Sequence, residues 1–428
     1  MQYARFHNPK THVHSEDTWY EYYADYSQSF VEDVLDHFAS CRGARVLDPW
    51  NGSGTTTQVA EDRGLRAYGY DINPAMVVVA KARRVDPDCS TSLLSLCKDI
   101  VGKASNYTDA TLLEADLLAE WLSNRSVGTI RNIERAIQRL LIDQDYAPLS
   151  KMQDLNGINS LVSVFYACLF QTVRDMLTAF RSSNPTWIKI PRTSDEVLNF
   201  AQDDIFQAFT QHVTRTMDAL ESRKATRLSL ELHNAVIDIA SSTLMPMSNG
   251  HADVVISSPP YCTRIDYAVA TRPELAVLGY SKVEMDDLRD KMIGTTTIFN
   301  KELAPEPEWG ESCCSFLASV SNHKSKASNT YYYHTFLQYF DSIYRSLTEI
   351  NRVLSGNGVC ILVVQDSYYK DVHNDLPRTF LEMGLSLNWC LNIREDYPIH
   401  QTMAGINRGT RRYRSSSNAV ESVLVFNR

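Results

Sequence analysis

No stretch of the 428 residues approaches the ~18 consecutive apolar side chains that crossing a bilayer as a helix requires; the most apolar helical candidate, Leu161 to Phe170, is too short. The opening residues, Met1-Gln2-Tyr3-Ala4-Arg5-Phe6-His7-Asn8, hold no apolar signal core, so a cytoplasmic protein with no membrane partner is expected. Cysteine chemistry is sparse. The 9 cysteines are odd in number, form no Cys-x-x-Cys pair, and the adjacent Cys313-Cys314 lacks metal-ligand spacing, so reduced and mostly buried thiols are expected. His12 and His14 have no cluster of carboxylates or cysteines beside them, and no metal is expected. An excess of positive charge is also missing: the net charge is −9. That excludes a surface coated in basic residues, though not a local basic stripe. No internal repeat or low-complexity linker breaks the chain, and 44% hydrophobic with 22% charged residues is ordinary for a globular protein with a sizeable core.

The stretch Ala252 to Tyr267 organises the rest. Val254-Val255-Ile256 reads as a buried strand, and it stops at Ser257-Ser258-Pro259-Pro260 because consecutive prolines remove backbone donors and fix φ. A rigid Ser258-Pro259-Pro260-Tyr261 loop at the carboxyl end of a strand offers a hydroxyl acceptor, carbonyls with no local N–H partner and an aromatic face. That set suits a planar heterocycle with an amino group: the Ser258 hydroxyl and the Pro259 carbonyl accept the two amine hydrogens while Tyr261 stacks on the ring. Pro-Pro by itself marks only a turn; such a loop gains meaning as a site for a nucleobase taken out of its stack when a second motif accompanies it.

That second motif lies upstream. The strand Ala44 to Leu47 leads into Asp48-Pro49-Trp50-Asn51-Gly52-Ser53-Gly54-Thr55-Thr56-Thr57 and a helix to about Arg63. Gly52 and Gly54 suit a tight strand-to-helix turn. The third glycine of a dinucleotide fingerprint is absent and no lysine follows, so neither a standard NAD loop nor a Walker loop is satisfied. The next strand, Ala67 to Tyr70, ends at Asp71, where a Rossmann-like unit holds a ribose diol. Asn73-Pro74 then starts a helix to about Arg84. The third strand is expected only at His233 to Asp238, with Asp238 meeting an adenine amino group.

Residues 1–84 and 232–428 thus read as two parts of one α/β domain around an insertion, 85–231. Helical patterns fall at Leu112 to Leu122, Ile130 to Ile142, Ile158 to Phe180 and Val197 to Leu220. Between the last two, Trp187 and Lys189 lie in a polar loop that is either a connector or a contact to a nucleic-acid strand. Ile265 to Tyr280 reads as helical, Ile293 to Asn329 as largely irregular, and Tyr331 to Leu354 as a helix before the strand Val359 to Val364. Two final strands, Leu387 to Ile393 and Ser422 to Phe426, flank a loop with Arg408, Arg411, Arg412 and Arg414. Six basic residues face three acidic ones from Arg394 onward, a solvated loop or a phosphate contact.

The two motifs together resemble the S-adenosylmethionine-dependent amino-methyltransferases of DNA. Asp48 to Thr56 is similar to their cofactor loop, Asp-Pro-Phe-x-Gly-Ser-Gly-Thr-Thr; Asp71-Ile72-Asn73-Pro74 to their ribose motif; Ser258 to Tyr261 to their catalytic tetrapeptide. The resemblance implies a Rossmann-like methyltransferase fold, mostly parallel with a C-terminal antiparallel hairpin, and S-adenosyl-L-methionine as cofactor. It implies that Asp48, Pro49, Gly52, Ser53, Gly54, Thr55, Thr56, Asp71, Ile72, Asn73 and Asp238 bind that cofactor, with Tyr20 and Phe30 bounding the segment that flanks its methionine part. Ser258, Pro259, Pro260 and Tyr261 would be catalytic. Arg264, Trp187, Lys189 and the four C-terminal arginines are the nucleic-acid candidates, and the insertion is the candidate for target recognition. The implied reaction is methyl transfer to the exocyclic amine of a flipped base in DNA. Serine at the first tetrapeptide position is more often seen with the cytosine 4-amino group, and adenine, or an RNA base amine, is the alternative. A cytosine ring-carbon methylase needs a Pro-Cys nucleophile, and no Pro-Cys dipeptide occurs. A catalytically silent recognition subunit, and a cognate nuclease or defence-system partner, stay open.

Overall fold

Short β-branched runs alternating with helical periods build one seven-stranded sheet. The computed structural model describes residues 5–11, 20, 26–39, 43–108, 112–143, 145–152, 155–182, 187–226, 235–263, 266–298, 302–399 and 419–428. The first half runs α1 (Gln28–Phe38), β1 (Arg45–Asp48), α2 (Thr55–Asp62), β2 (Arg66–Asp71) and α3 (Pro74–Arg83). After the helical insertion of α4 (Ser90–Ser105), α5 (Asn124–Leu141), α6 (Ser160–Met176) and α7 (Gln202–Thr226) come β3 (Ala235–Ile239) and β4 (Ala252–Ser257). The chain continues through α8 (Tyr267–Ala270), α9 (Arg272–Val277), α10 (Lys282–Lys291), α11 (Glu311–Ser321) and α12 (Tyr333–Val353) into β5 (Leu354–Gln365). It closes with a small hairpin, β6 (Ser367–Tyr369) and β7 (Val372–Asn374), then α13 (Leu376–Ser386), β8 (Cys390–Ile399) and β9 (Ala419–Asn427).

The sheet order is β3-β2-β1-β4-β5-β9-β8. β1 to β5 pair in parallel, and β9 runs antiparallel to both β5 and β8. This is a Rossmann-like, mostly parallel α/β fold with an antiparallel C-terminal pair and an inserted helical region. Strand order reverses between β1 and β4, and such switch points leave a crevice beyond the carboxyl ends of the strands.

Alternation along the strands feeds two core layers. Val46, Val254, Ile256, Ile361 and Val423 pack against Phe30, Val31 and Val34 of α1. Leu47, Val255, Leu362 and Leu424 pack on the other face against Phe340, Leu347 and Ile350 of α12. The insertion has its own core, with Trp121, Phe165, Tyr166, Phe170 and Phe209 buried, and it shares that core with Val78 and Val79 of α3 and Leu275 to Leu278. It is therefore joined to the helix that follows the Ser-Pro-Pro-Tyr loop.

Several expectations on local structure need correction. Leu112 to Leu122 is a turn with one short 3-10 segment, Leu117–Glu120, because Asp116 and Ser123 each cap a new start instead of letting a helix run through. A helix stands instead at α4, whose buried Leu93, Cys97, Ile100 and Ala104 keep helical spacing among interspersed serines. The stretch 293–329 is not irregular throughout: α11 buries Cys313, Phe316, Leu317 and Val320 at helical spacing. Ile265 to Tyr280 is split at Thr271 into α8 and α9, with Pro273 in the first turn of the second helix. Among the described residues no helix is long and apolar enough to cross a membrane, and no group of three or more potential ligands could hold a metal. His12 and His14 lie outside the described residues.

Candidate active site

Two loops meet at the switch point. β1 delivers Asp48, wholly buried, whose carboxylate accepts from Tyr26 Oη at 3.0 Å, Trp50 N at 3.1 Å and the Ser257 hydroxyl at the end of β4. Burial pushes this carboxyl up to about 6 despite those donors. The turn that follows is held to β2: Asn51 N donates to Tyr70 O at 3.0 Å, and the Asn51 side chain covers Gly69, where a Cβ would lie 2.5 Å from it. Gly54 takes φ +90° as α2 begins, and a Cβ there would stand 2.8 Å from Ala80 Cβ of α3. Only glycine fits both the conformation and the approach.

Asp71, at the end of β2, accepts Gly52 N at 2.9 Å and Asn73 N at 2.8 Å. It thereby ties the glycine turn to the N-terminus of α3, which Asn73 caps through Ala75 N. Burial raises Asp71 to about 6. Two donor atoms shut off from solvent in the same turn, Trp50 Nε1 and Asn51 Nδ2, have no hydrogen-bond partner among the described residues. A buried orphan donor costs free energy unless a ligand supplies the acceptor.

From β4 comes the second loop. Ser258 Oγ donates its proton to Val363 O at 3.1 Å, which leaves the oxygen lone pairs as acceptors. Pro260 O accepts from Tyr339 Oη of α12 at 2.9 Å, and Tyr261 N donates to Tyr267 Oη at 3.2 Å. The Tyr261 hydroxyl donates to Glu421 Oε1 of β9 at 2.9 Å. Burial and that carboxylate hold the phenol well above its usual range, so its proton stays on the oxygen.

Both loops line a single cleft of about 930 Å³, open solvent at its mouth included. It is bounded by Asp48, Pro49, Gly52, Ser53, Thr55, Asp71, Ile72, Asn73, Ser258, Pro259, Pro260 and Tyr261, so most of the residues singled out from sequence stand together. Others stand elsewhere. Phe30 is fully buried in the core beneath the sheet, and the cleft receives Tyr26 from the same segment. Tyr20 is buried against Glu274, to which it donates at 3.0 Å. Gly54 and Thr56 shape the turn without bounding the cleft; Thr56 Oγ1 bonds the Tyr26 hydroxyl. Asp238 sits on β3 opposite Tyr70, and the cleft wall beyond that strand is Ser241 and Ser242. Trp187 is 57% exposed in the insertion, and the neighbouring Lys189 is exposed with its carbonyl accepting from Trp121 Nε1 at 2.9 Å; neither lines the cleft. Arg264, Arg408, Arg411, Arg412 and Arg414 lie outside the described residues.

Tyr267, Lys291, Met292 and Ile293 also stand on the cleft wall, together with Met76 of α3, and none belongs to either sequence motif. Lys291 and Met292 close α10, whose capping box, Ser281 with Glu284, is a readable signal.

Fold and site together define a Rossmann-like chain with a cleft at the switch point between a glycine turn and a proline-stiffened loop. No family model matches the chain. It is similar to the Type II methyltransferase M.BsoBI of Geobacillus stearothermophilus, at 23% identity over 362 residues covering 80% of this chain and 62% of that protein. The Type II methyltransferase M.AvaI of Nostoc sp. is 21% identical over 309 residues, 68% of this chain and 60% of its own. The Type II methyltransferase M.MvaI of Kocuria varians is 22% identical over 347 residues, 76% and 71%. The chain spans about six-tenths of the length of the first two relatives. Among solved structures it is similar to the rRNA methyltransferase aviRa from Streptomyces viridochromogenes, with a TM-score of 0.29 and 10% identity over 94% of this chain and 86% of that one.

Proposed function

We propose that this chain is a DNA methyltransferase that moves a methyl group from S-adenosyl-L-methionine to the exocyclic amine of a base turned out of its stack, the 4-amino group of cytosine. The observation that carries the reading is the meeting of the Asp48–Asn73 loops and the Ser258–Tyr261 loop across one cleft. The Type II methyltransferase relatives support the reaction class.

The cleft fits such a cofactor. Asp71, on the cleft wall beside Gly52 and Asn73, suits a ribose diol. When bound, the cofactor supplies an electrophilic methyl on a sulfonium. The protein's own residues do the rest. Ser258 Oγ, its proton committed to Val363 O, and the Pro259 carbonyl accept the two amine hydrogens and draw the nitrogen lone pair out of ring conjugation. Tyr261 stacks on the base, and the stiffness of Pro259-Pro260 keeps acceptors and platform in register. Positioning and electrostatics then lower the barrier without a covalent enzyme intermediate, and the methylated amine releases its extra proton to solvent through the open mouth of the cleft.

The insertion, which shares its core with α8 and α9, the two helices that follow the Ser258–Tyr261 loop, is the region we assign to target recognition. A separation of roles tests the reading. Tyr261→Ala should cut methyl transfer strongly, on the order of 10²-fold or more, and leave cofactor affinity nearly intact. Asp71→Ala should weaken cofactor binding. Equal loss of cofactor affinity in both would contradict the assignment.

A further inference from the structure

We propose that Lys10 and Glu421 form a positioning pair that fixes the Tyr261 ring as the stacking platform for the extruded base. The inference rests on the reading of Tyr261 given above and extends the site to two residues far from either motif.

Glu421 belongs to β9, opposite Gln365 at the end of β5, and is fully buried. Its carboxylate takes the only proton the Tyr261 hydroxyl has to give, at 2.9 Å. The tyrosine is thus pinned at both ends: Pro259-Pro260 and the bond to Tyr267 hold its backbone, and Glu421 holds the far end of the ring. A buried carboxylate is unfavourable without a counter-charge. Lys10 Nζ lies 3.8 Å from Glu421 Oε1 and 5.3 Å from the centroid of the Tyr261 ring. One ammonium therefore balances the carboxylate and sits over the aromatic ring. A planar ring has two faces; Lys10 takes one and leaves the other for the base.

The lysine reaches this point from a segment docked elsewhere. Ser27 N, the cap of α1, donates to Pro9 O at 2.8 Å, and Lys10 N donates to Asn8 Oδ1 at 3.0 Å. Phe6, four residues earlier, is buried against Phe30 and Phe38. The fold therefore anchors this segment independently of the Lys10 ammonium. Removing the ammonium leaves the buried Glu421 carboxylate without its counter-charge, so K10M also costs stability; the geometric effect of the pair falls on the ring that lines the cleft.

The full chain with labelled S-adenosylmethionine and DNA provides the test, using K10M, K10R, E421Q, Y261F and the double variant K10M/Y261F. K10M should lower kcat by about 10- to 100-fold, the order expected when a group is misplaced by an ångström or so, with cofactor Kd changed less than about twofold. K10R should recover most of the rate. In the Y261F background the ring is already released from Glu421, so adding K10M should cost only a few-fold more, a non-additivity that marks coupled groups. If K10M does not fold, E421Q, close to isosteric, carries the same comparison. An active wild type whose K10M variant keeps its kcat, or loses cofactor affinity in step with kcat, or whose K10M and Y261F effects simply multiply, overturns the pair alone. A wild type that transfers no methyl group to any nucleic acid overturns the functional reading and the pair with it.

Discussion

At the scale of single residues, the cleft is built around two carboxyl groups that the fold keeps short of water. Asp48 and Asp71 both sit at about 6, above the ~3.9 of a free aspartate, because burial penalises the charged form. The sign follows directly. Each contributes stability that is whole below about pH 4 and is lost as the pH climbs through 6, since ionisation inside the fold is disfavoured. A ligand that donates hydroxyl protons to Asp71 prefers the ionised form. Cofactor affinity should therefore weaken by about tenfold between pH 7 and pH 5, the drop in ionised fraction for a group titrating near 6. Calorimetric titration across that range checks it, with Asp71→Asn expected to bind weakly throughout and to show a shallower dependence. A wild-type affinity flat from pH 7 to 5 would remove Asp71 from the ribose role.

At the scale of elements, the glycine turn depends on close approach. Gly54 combines φ +90° with a Cβ position 2.8 Å from Ala80 Cβ, so Gly54→Ala must strain the turn and push α2 from α3. A loss of ~1–3 kcal/mol in stability is expected from denaturant unfolding, with weaker cofactor binding alongside; an unchanged midpoint would show that α3 yields easily. Elements of this kind are legible in sequence because a strand, a glycine turn and a capped helix each leave a local mark. Asp48, Gly52, Asp71, Asn73 and Ser258 to Tyr261 can be read for that reason. Other parts of the wall leave none. Ser241 and Ser242 look like any polar turn, and Glu421 is a lone acid in an apolar strand until the sheet sets it beside Tyr261. Phe30 is misplaced by sequence alone because an aromatic near a cofactor loop and an aromatic under a sheet have the same signature. Helices α4 and α11 escape a reading by pattern because a cysteine stands in each buried face and serines take much of each exposed one.

At the scale of the whole molecule, the proposed DNA substrate is a polyanion, and the chain that would bind it carries a net charge of −9. Binding then has to come from local basic residues, and Arg408, Arg411, Arg412 and Arg414 form the densest set in the sequence. Replacing Arg411 and Arg412 together should weaken DNA binding and reduce the slope of log K against log salt by about 2, near one unit for each phosphate that is no longer neutralised; an unchanged slope would make that segment a solvated connection. The insertion and α9 share one core, and α9 follows the Ser258–Tyr261 loop within a dozen residues, so under the proposed roles target recognition has a physical route to that loop.

The most direct measurement is incubation of the purified chain with methyl-labelled S-adenosylmethionine and duplex DNA, single-stranded DNA or bulk RNA, followed by mass analysis of the released nucleosides. Label on the cytosine 4-amino group of DNA is the expected result. Label on the adenine 6-amino group would keep the reaction and change the base, label confined to RNA would contradict DNA as the substrate, and label on no nucleic acid would contradict the proposed function itself.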